Sequence, residues 1–221
     1  MTMQTGGTSA ERVLRGLESG AASVRLRAAL EIGSAPDPGW VGTLVERCAV
    51  EADFQVREML TWALTRHSPD ETVPLLVAAL GSERAQARSQ ALHTLSKVGD
   101  RRAWPAITRE LLLDADEEVA RTAWRAAVAL VPEGGEAELA RVLATRLGHG
   151  GYETRLSLSR ALVALGEAAV APLLGSAAVD PSPEVRAHAI ATERMMDDPD
   201  IGFGFAIEEA KRIVALGPRE E

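Results

Sequence analysis

The sequence predicts an all-α fold, an α-solenoid (superhelix) of about six stacked helix pairs with a capping helix at each end. Two observations carry the prediction. A helical phrase, Val-Arg followed by Ala or Leu three residues after the Arg and another apolar residue a turn later, recurs every 31 to 35 residues. Its copies are Val24-Arg25…Ala28, Val56-Arg57…Leu60, Ala87-Arg88…Ala91, Val119-Ala120…Ala123, Thr154-Arg155…Leu158 and Val185-Arg186…Ala189. Pro74, Pro105 and Pro172 also share a phase, 13 or 14 residues ahead of the Val site of their units. A fixed period of this size marks stacked supersecondary units, not a domain around one central core.

In chain order, Thr8–Ser19 reads as an N-terminal helix completing unit one, whose second helix is interrupted early by Gly33 to Gly39. Trp40 opens the first helix of unit two, WVGTLVERCAV, where Cys48 reads as a small buried hydrophobe. Unit three has helices over Asp70–Leu80 and Arg84–Val98, broken by Gly81-Ser82 and ended by Gly99-Asp100. Unit four has Arg101–Leu113 and Glu117–Val131, split by Asp114-Ala115-Asp116, whose carboxylates suit a helix N-terminus. The phased prolines are expected in or near the first turn of the first helices, where a missing N–H costs little. Phe203–Leu216 reads as a closing helix docked through Phe203 and Phe205, after the solvated loop Asp197-Asp198-Pro199-Asp200. Trp40 and Trp104 are expected to pack between units, and Trp124 suits either core or groove. The repeat domain spans 8–216 as a single body, with 1–7 and 217–221 as frayed tails.

Hydrophobic residues make up 46% and aromatics 4%, an Ala, Leu and Val inventory suited to close helix packing and not to an aromatic ligand cavity. The net charge of −8 argues against a nucleic-acid binder, whose footprint should be basic. One cysteine excludes an intramolecular disulfide framework, and neither a signal-peptide core nor a membrane-spanning run is seen. A cytoplasmic location is expected.

These residues resemble HEAT repeats, in particular the short bacterial kind grouped with phycobilisome-lyase-like repeats. That pattern has a Pro early in the first helix, an acid before the second, then Val-Arg, Ala, Leu and a closing Gly. Unit six matches with Pro172, Asp180, Val185-Arg186 and Ala189, and unit three matches with Ser82 for the acid. Unit four keeps Asp114 but has Ala120 for the Arg; unit five has His149 for the acid and Thr154 for the Val. The resemblance covers roughly residues 10–200. It implies that Arg25, Arg57, Arg88, Arg155 and Arg186 are structural, laddered with acids of neighbouring units, and that the second helices line a concave face. Contact of these arginines with an anionic ligand is the alternative.

On those second helices, positions three, six and ten after the Val site share one stripe. It comprises Met59, Trp62 and Arg66, then Gln90, His93 and Lys97, then Thr122, Arg125 and Ala129, then Ser157, Arg160 and Ala164. None of the twelve is acidic in an acidic protein, though Glu58 lies one position off. The stripe reads as a partner-binding groove for an acidic or extended protein segment, with Met59 and Trp62 as apolar anchors, or else as a solvated face.

The four histidines lie in different units without zinc-motif spacing, and no phosphate loop or nucleophile elbow is present. His93 and His188 fall on stripe positions and read as exposed polar residues. No cofactor and no metal site is expected. The function read from these features is a non-enzymatic protein-interaction scaffold or adaptor. The alternatives are a HEAT-like nucleic-acid-binding protein or DNA glycosylase, and a lyase- or chaperone-type accessory protein.

Overall fold

The computed structural model describes residues 9–198 and 201–216, and their regular structure is helical throughout. The expected tails, 1–7 and 217–221, lie outside the described residues, as do Pro199 and Asp200 of the acidic loop. The helices group into two compact units that divide between Ala106 and Ile107. In the first, α1 (Ser9–Leu17) pairs with α2 (Ala22–Ser34), α3 (Val41–Cys48) with α4 (Phe54–Thr65), and α5 (Pro69–Ala79) with α6 (Ala85–Val98). In the second, α7 (Arg109–Leu112) pairs with α8 (Glu117–Leu130), α9 (Glu136–Ala144) with α10 (Tyr152–Leu165), and α11 (Glu167–Ala177) with α12 (Pro183–Asp197). Helix α13 (Phe203–Leu216) follows. Among the described residues, no helix is long and apolar enough to cross a membrane.

Within each unit the second helices pack side by side, α2 on α4 on α6, and α8 on α10 on α12. Their inner faces are small and aliphatic: Val56, Leu60, Ala63 and Leu64 are fully buried in α4, as are Val119, Ala123, Ala127 and Leu130 in α8. Each fully buried Val or Leu contributes about 1.5–3 kcal/mol, while the alanines let helices approach closely. One polar rung recurs in each unit. Thr61 Oγ1 meets Thr94 Oγ1 at 3.4 Å between α4 and α6, and Ser159 Oγ meets Thr192 Oγ1 at 2.7 Å between α10 and α12.

The repeated acid and arginine act together on the loop between the two helices of a pair. The side chains of Ser19, Glu51, Ser82, Asp114 and Asp180 each accept the backbone N–H two residues on. Arg25 then donates to the carbonyls of Ser19 and Gly20, Arg57 to Glu51 and Ala52, Arg88 to Ser82 and Glu83, and Arg186 to Asp180 and Pro181. Arg155 clamps Gly148 and Gly150 in the same way. The expected ladder has a rung at the first step, where Arg25 grips Glu51 of the next pair through contacts of 2.6 and 2.7 Å. What all five arginines share is the carbonyl clamp. A planar guanidinium with several donors suits it, because the loop presents two nearby carbonyls, adjacent in four of the loops and two residues apart at Gly148 and Gly150.

Glu51 is fully buried and also takes Arg47 at 2.8 Å. Burial pushes its carboxyl up, but hydrogen bonds from Arg25, Asp53 N–H and Arg47 outweigh this and hold it down at about 2.

Several expectations are corrected. Arg101–Leu113 is not one helix: Arg101–Ala106 forms a 3-10 stretch around Pro105, and Thr108 then caps the short α7 by accepting Leu111 N–H. Pro74 and Pro172 stand at the sixth residue of α5 and α11, beyond the first turn. Asp70 and Ala168, four residues earlier, whose carbonyls the missing N–H groups would have met, are exposed. Helix α2 does end at Ser34, inside the Gly33–Gly39 stretch, but Gly33 itself is still helical and α2 is not shorter than α4. A Cβ there would lie 2.3 Å from Trp62 Cζ3, so the glycine makes a seat for the indole ring. Trp40 and Trp104 are half-buried in 3-10 stretches, not packed deep between units. Trp124 is core, completely buried, with Nε1–H donating to Leu112 O at 2.8 Å. Phe203 docks α13, but Phe205 is 68% exposed because it falls on the outer side of that helix.

Candidate functional site

Among the second helices α4, α8 and α12 begin at a side-chain cap and α10 opens on Gly151, while α2 and α6 start from Ala21 and Arg84 without a side-chain cap. Asp53 Oδ1 accepts Val56 N–H at the start of α4, and Asp116 Oδ1 accepts Glu118 and Val119 N–H at the start of α8. In α10 the corresponding Val site is Thr154, whose hydroxyl reaches Glu117 Oε2 of α8 at 2.6 Å, so this departure from the repeat ties two second helices together.

The predicted stripe does not have one character. At about 100° per residue, the third position lies only about 60° round from the buried Val site, and it is drawn into the packing. Thr122 is buried, Met59, Gln90 and Ser157 are half-buried, and His188 is completely buried instead of exposed. The sixth and tenth positions carry the open face: Trp62, Arg66, Lys97, Arg125, Ala129, Arg160 and Ala164 are exposed, with His93 half-buried.

The two units then differ. In the first, Trp62 is 38% exposed with its ring edge against Gly33, and His93 Nε2 lies 3.2 Å from Glu58 Oε1. In the second, Arg125, Ser157, Arg160 and Ala164 come together with Arg121, Val128, Glu153, Leu156 and Ala161 around a groove of about 280 Å³ between α8 and α10. Arg125 is held from one side, by Thr122 Oγ1 at 2.7 Å and Glu118 at 3.5 Å, and Arg121 pairs with the same glutamate. Glu118 and Glu153 thus border the cations, which tempers the charge inversion expected from the stripe alone.

A serine and a histidine do meet. His188 Nε2 lies 3.1 Å from Ser159 Oγ and 3.1 Å from Arg155 O, while Nδ1 accepts Gly148 N–H at 3.0 Å. With Nδ1 an acceptor, Nε2 carries the proton, so this nitrogen is a donor here and not a base toward Ser159. Burial pushes the imidazole down to about 4, and both side chains are completely buried. The pair is a neutral lock joining α10, α12 and the loop before α10. Its place was invisible in the sequence because Ser159 and His188 are 29 residues apart in different pairs. Burial pushes the Cys48 thiol up to about 12, leaving it an unreactive core residue. Among the described residues, no three His, Cys, Asp or Glu side chains are placed to hold a metal ion.

Residues 43–129 match the HEAT repeats family. Over this stretch, less than half of the chain, the sequence is similar to HEAT repeats. The match runs from within α3 to near the end of α8. Among curated proteins none matches the chain. Solved structures similar to it include the complex of CpcE and CpcF of phycocyanin lyase from Nostoc sp., at 19% identity over 89% of this chain and 80% of that one, TM-score 0.49. An engineered protein follows at 16% identity, 89% and 100% coverage and TM-score 0.47. Human deoxyhypusine hydroxylase in complex with glycerol stands at 17% identity, 93% and 94% coverage and TM-score 0.46. No activity is carried over from a likeness of that size.

Proposed function

We propose that the protein is a non-enzymatic interaction module that holds an acidic segment of a partner protein against its second helices. The observation that supports this reading is the α8–α10 groove, where Arg125 and Arg160 flank an apolar floor of Val128, Leu156, Ala161 and Ala164. Exposed arginine beside small aliphatic side chains is the composition of a binding surface in which charge sets the partner and apolar contact holds it. In the first unit Met59, Trp62, Arg66, Gln90, His93 and Lys97 are proposed as a second contact face, with Trp62 as its anchor.

The test is the double charge reversal Arg125→Glu, Arg160→Glu in the full chain. Both residues are exposed, so unfolding curves should match the parent within about 0.5 kcal/mol. Affinity capture from the source cells should lose the partners that the parent retains. Identical capture by parent and variant would end the groove reading.

A further inference from the structure

Resting on the reading just given, we infer that the segment received by the α8–α10 groove is an acidic α-helix, not an extended peptide. The groove is lined by the second, sixth and tenth positions after the Val site: Arg121 and Arg125 on α8, Leu156, Arg160 and Ala164 on α10. In α12 the second and sixth positions are Ala187 and Ala191, and there the structure already shows an occupant. Helix α13 lays Phe203, Ala206, Ile207 and Ala210 onto them in one buried apolar cluster. Leu156 belongs to both places, lining the groove and packing against that cluster. The same register of this repeat therefore takes a helix where it is alanine, and stands open where it is arginine.

Backbone chemistry points the same way. An extended chain lying on Val128, Leu156, Ala161 and Ala164 would need partners for its N–H and C=O groups. The walls are helices whose own backbone groups are spent internally, and neither Asn nor Gln is among the residues lining the groove to offer a side-chain amide, which pairs an N–H and a C=O together. Ser157 is the one hydroxyl in the lining. A helix arrives with its backbone satisfied and asks only for shape and charge. Its apolar stripe should follow the spacing that α13 uses at Phe203, Ala206, Ile207 and Ala210, with Glu or Asp beside it to meet Arg125 and Arg160.

The experiment uses the full chain and a displayed library of random peptides about 16 residues long, some four helical turns. Binders selected on the parent are counter-selected on the Arg125→Glu, Arg160→Glu protein. Enriched sequences should be acidic with apolar residues at i, i+3, i+4 and i+7, and should gain helical circular dichroism on binding. A single central Pro should cost them more than about tenfold in affinity, since it removes an intrahelical bond. Groove-dependent peptides that tolerate the Pro and gain no helix would overturn the helical occupant while leaving the protein-binding reading standing. Absence of any groove-dependent peptide would overturn both.

Discussion

The two units solve one problem with opposite chemistry. Each must fasten a second helix to the loop of a neighbouring pair, where backbone groups are left without helical partners. The first unit uses charge: Arg25 of α2 and Arg47 of α3 converge on the buried Glu51. The second uses a neutral group: His188 of α12 takes Gly148 N–H and meets Ser159 and Arg155 O of α10. The open faces differ too, although the first also carries the exposed cations Arg66 and Lys97. The unit with the buried ion network exposes an indole at Trp62, and the unit with the neutral lock exposes Arg125 and Arg160. A repeat thus fixes where a fastening is needed and leaves the chemistry of the fastening free, so stability under acid and ligand preference can diverge between units of one fold.

The largest expected effect comes from removing the centre of the charged fastening. Glu51→Ala leaves Arg25, only 9% exposed, without its carboxylate. Breaking a buried pair from one side costs about 3–5 kcal/mol, so amide exchange in peptides from α2 to α4 should accelerate by more than a hundredfold. Peptides from α10 to α12 should keep their protection if the fastening is local. Equal loss in both units would show that the contrast between them is false.

Acid separates the fastenings next. His188 has its folded value lowered to about 4 from 6.5, so the unfolded chain binds the proton that the folded chain refuses. Its contribution is complete above about pH 6.5 and is lost as pH falls toward 4. Glu51 has its folded value lowered to about 2 from 4.5, so its contribution persists down to about pH 4.5 and is lost from there toward 2. Each window corresponds to roughly 3 kcal/mol. Near pH 5, protection factors corrected for intrinsic exchange should therefore fall in the second unit and hold in the first. A single shared acid transition would remove the comparison.

How legible this was in the sequence follows from distance along the chain. The helix pairs, their breaks and the closing helix could be read because period and capping are local signals. The loop-holding side chains at Glu51, Ser82 and Asp180 and the arginines six residues later were visible as a pattern, with Asp114 followed by Ala120 as the exception, yet the arginines' common partner is backbone carbonyl, which carries no residue signature. Contacts between pairs were not legible. Gly33 looked like a helix breaker because the ring that needs its missing Cβ belongs to Trp62, a full repeat away. The third stripe position was misread for a related reason: periodicity gives a face, and only packing decides where that face ends, as Thr122 and His188 show. Of the proposed groove, Arg125, Ser157, Arg160 and Ala164 were in the stripe; Arg121, Leu156 and Glu153 enter from the neighbouring rotation.

Gly33→Ala probes the indole seat. The new methyl would meet Trp62 Cζ3 at 2.3 Å and the Ala63 backbone at 2.9 Å, so either the ring swings out or α2 and α4 separate. Overpacking of this kind costs about 1–3 kcal/mol. Red-shifted tryptophan emission, absent when the same change is made in a Trp62→Phe background, would identify ring displacement as the response. An unshifted spectrum with unchanged stability would mean that the ring is not seated there, and the apolar half of the comparison would fall.

The smallest effect tests the arginines that both units share. If Arg57 and Arg186 act on the carbonyls of their own loops, each Ala substitution removes two charge-assisted bonds at a partly exposed site and should cost about 1 kcal/mol. Arg25→Ala also takes from the buried Glu51 one of its two arginines, leaving Arg47 and the Asp53 N–H, and should cost more than either. Hydrogen bonds to neutral carbonyls lose little when salt is added, whereas an exposed ladder of ion pairs is screened. The penalties of Arg57→Ala and Arg186→Ala, measured by urea unfolding, should therefore be the same at low salt and in about 1 M NaCl, where the screening length has fallen to about 3 Å. Penalties that shrink toward zero in salt would restore the carboxylate ladder in place of the carbonyl clamp, and with it the idea that one electrostatic device runs unchanged through both units.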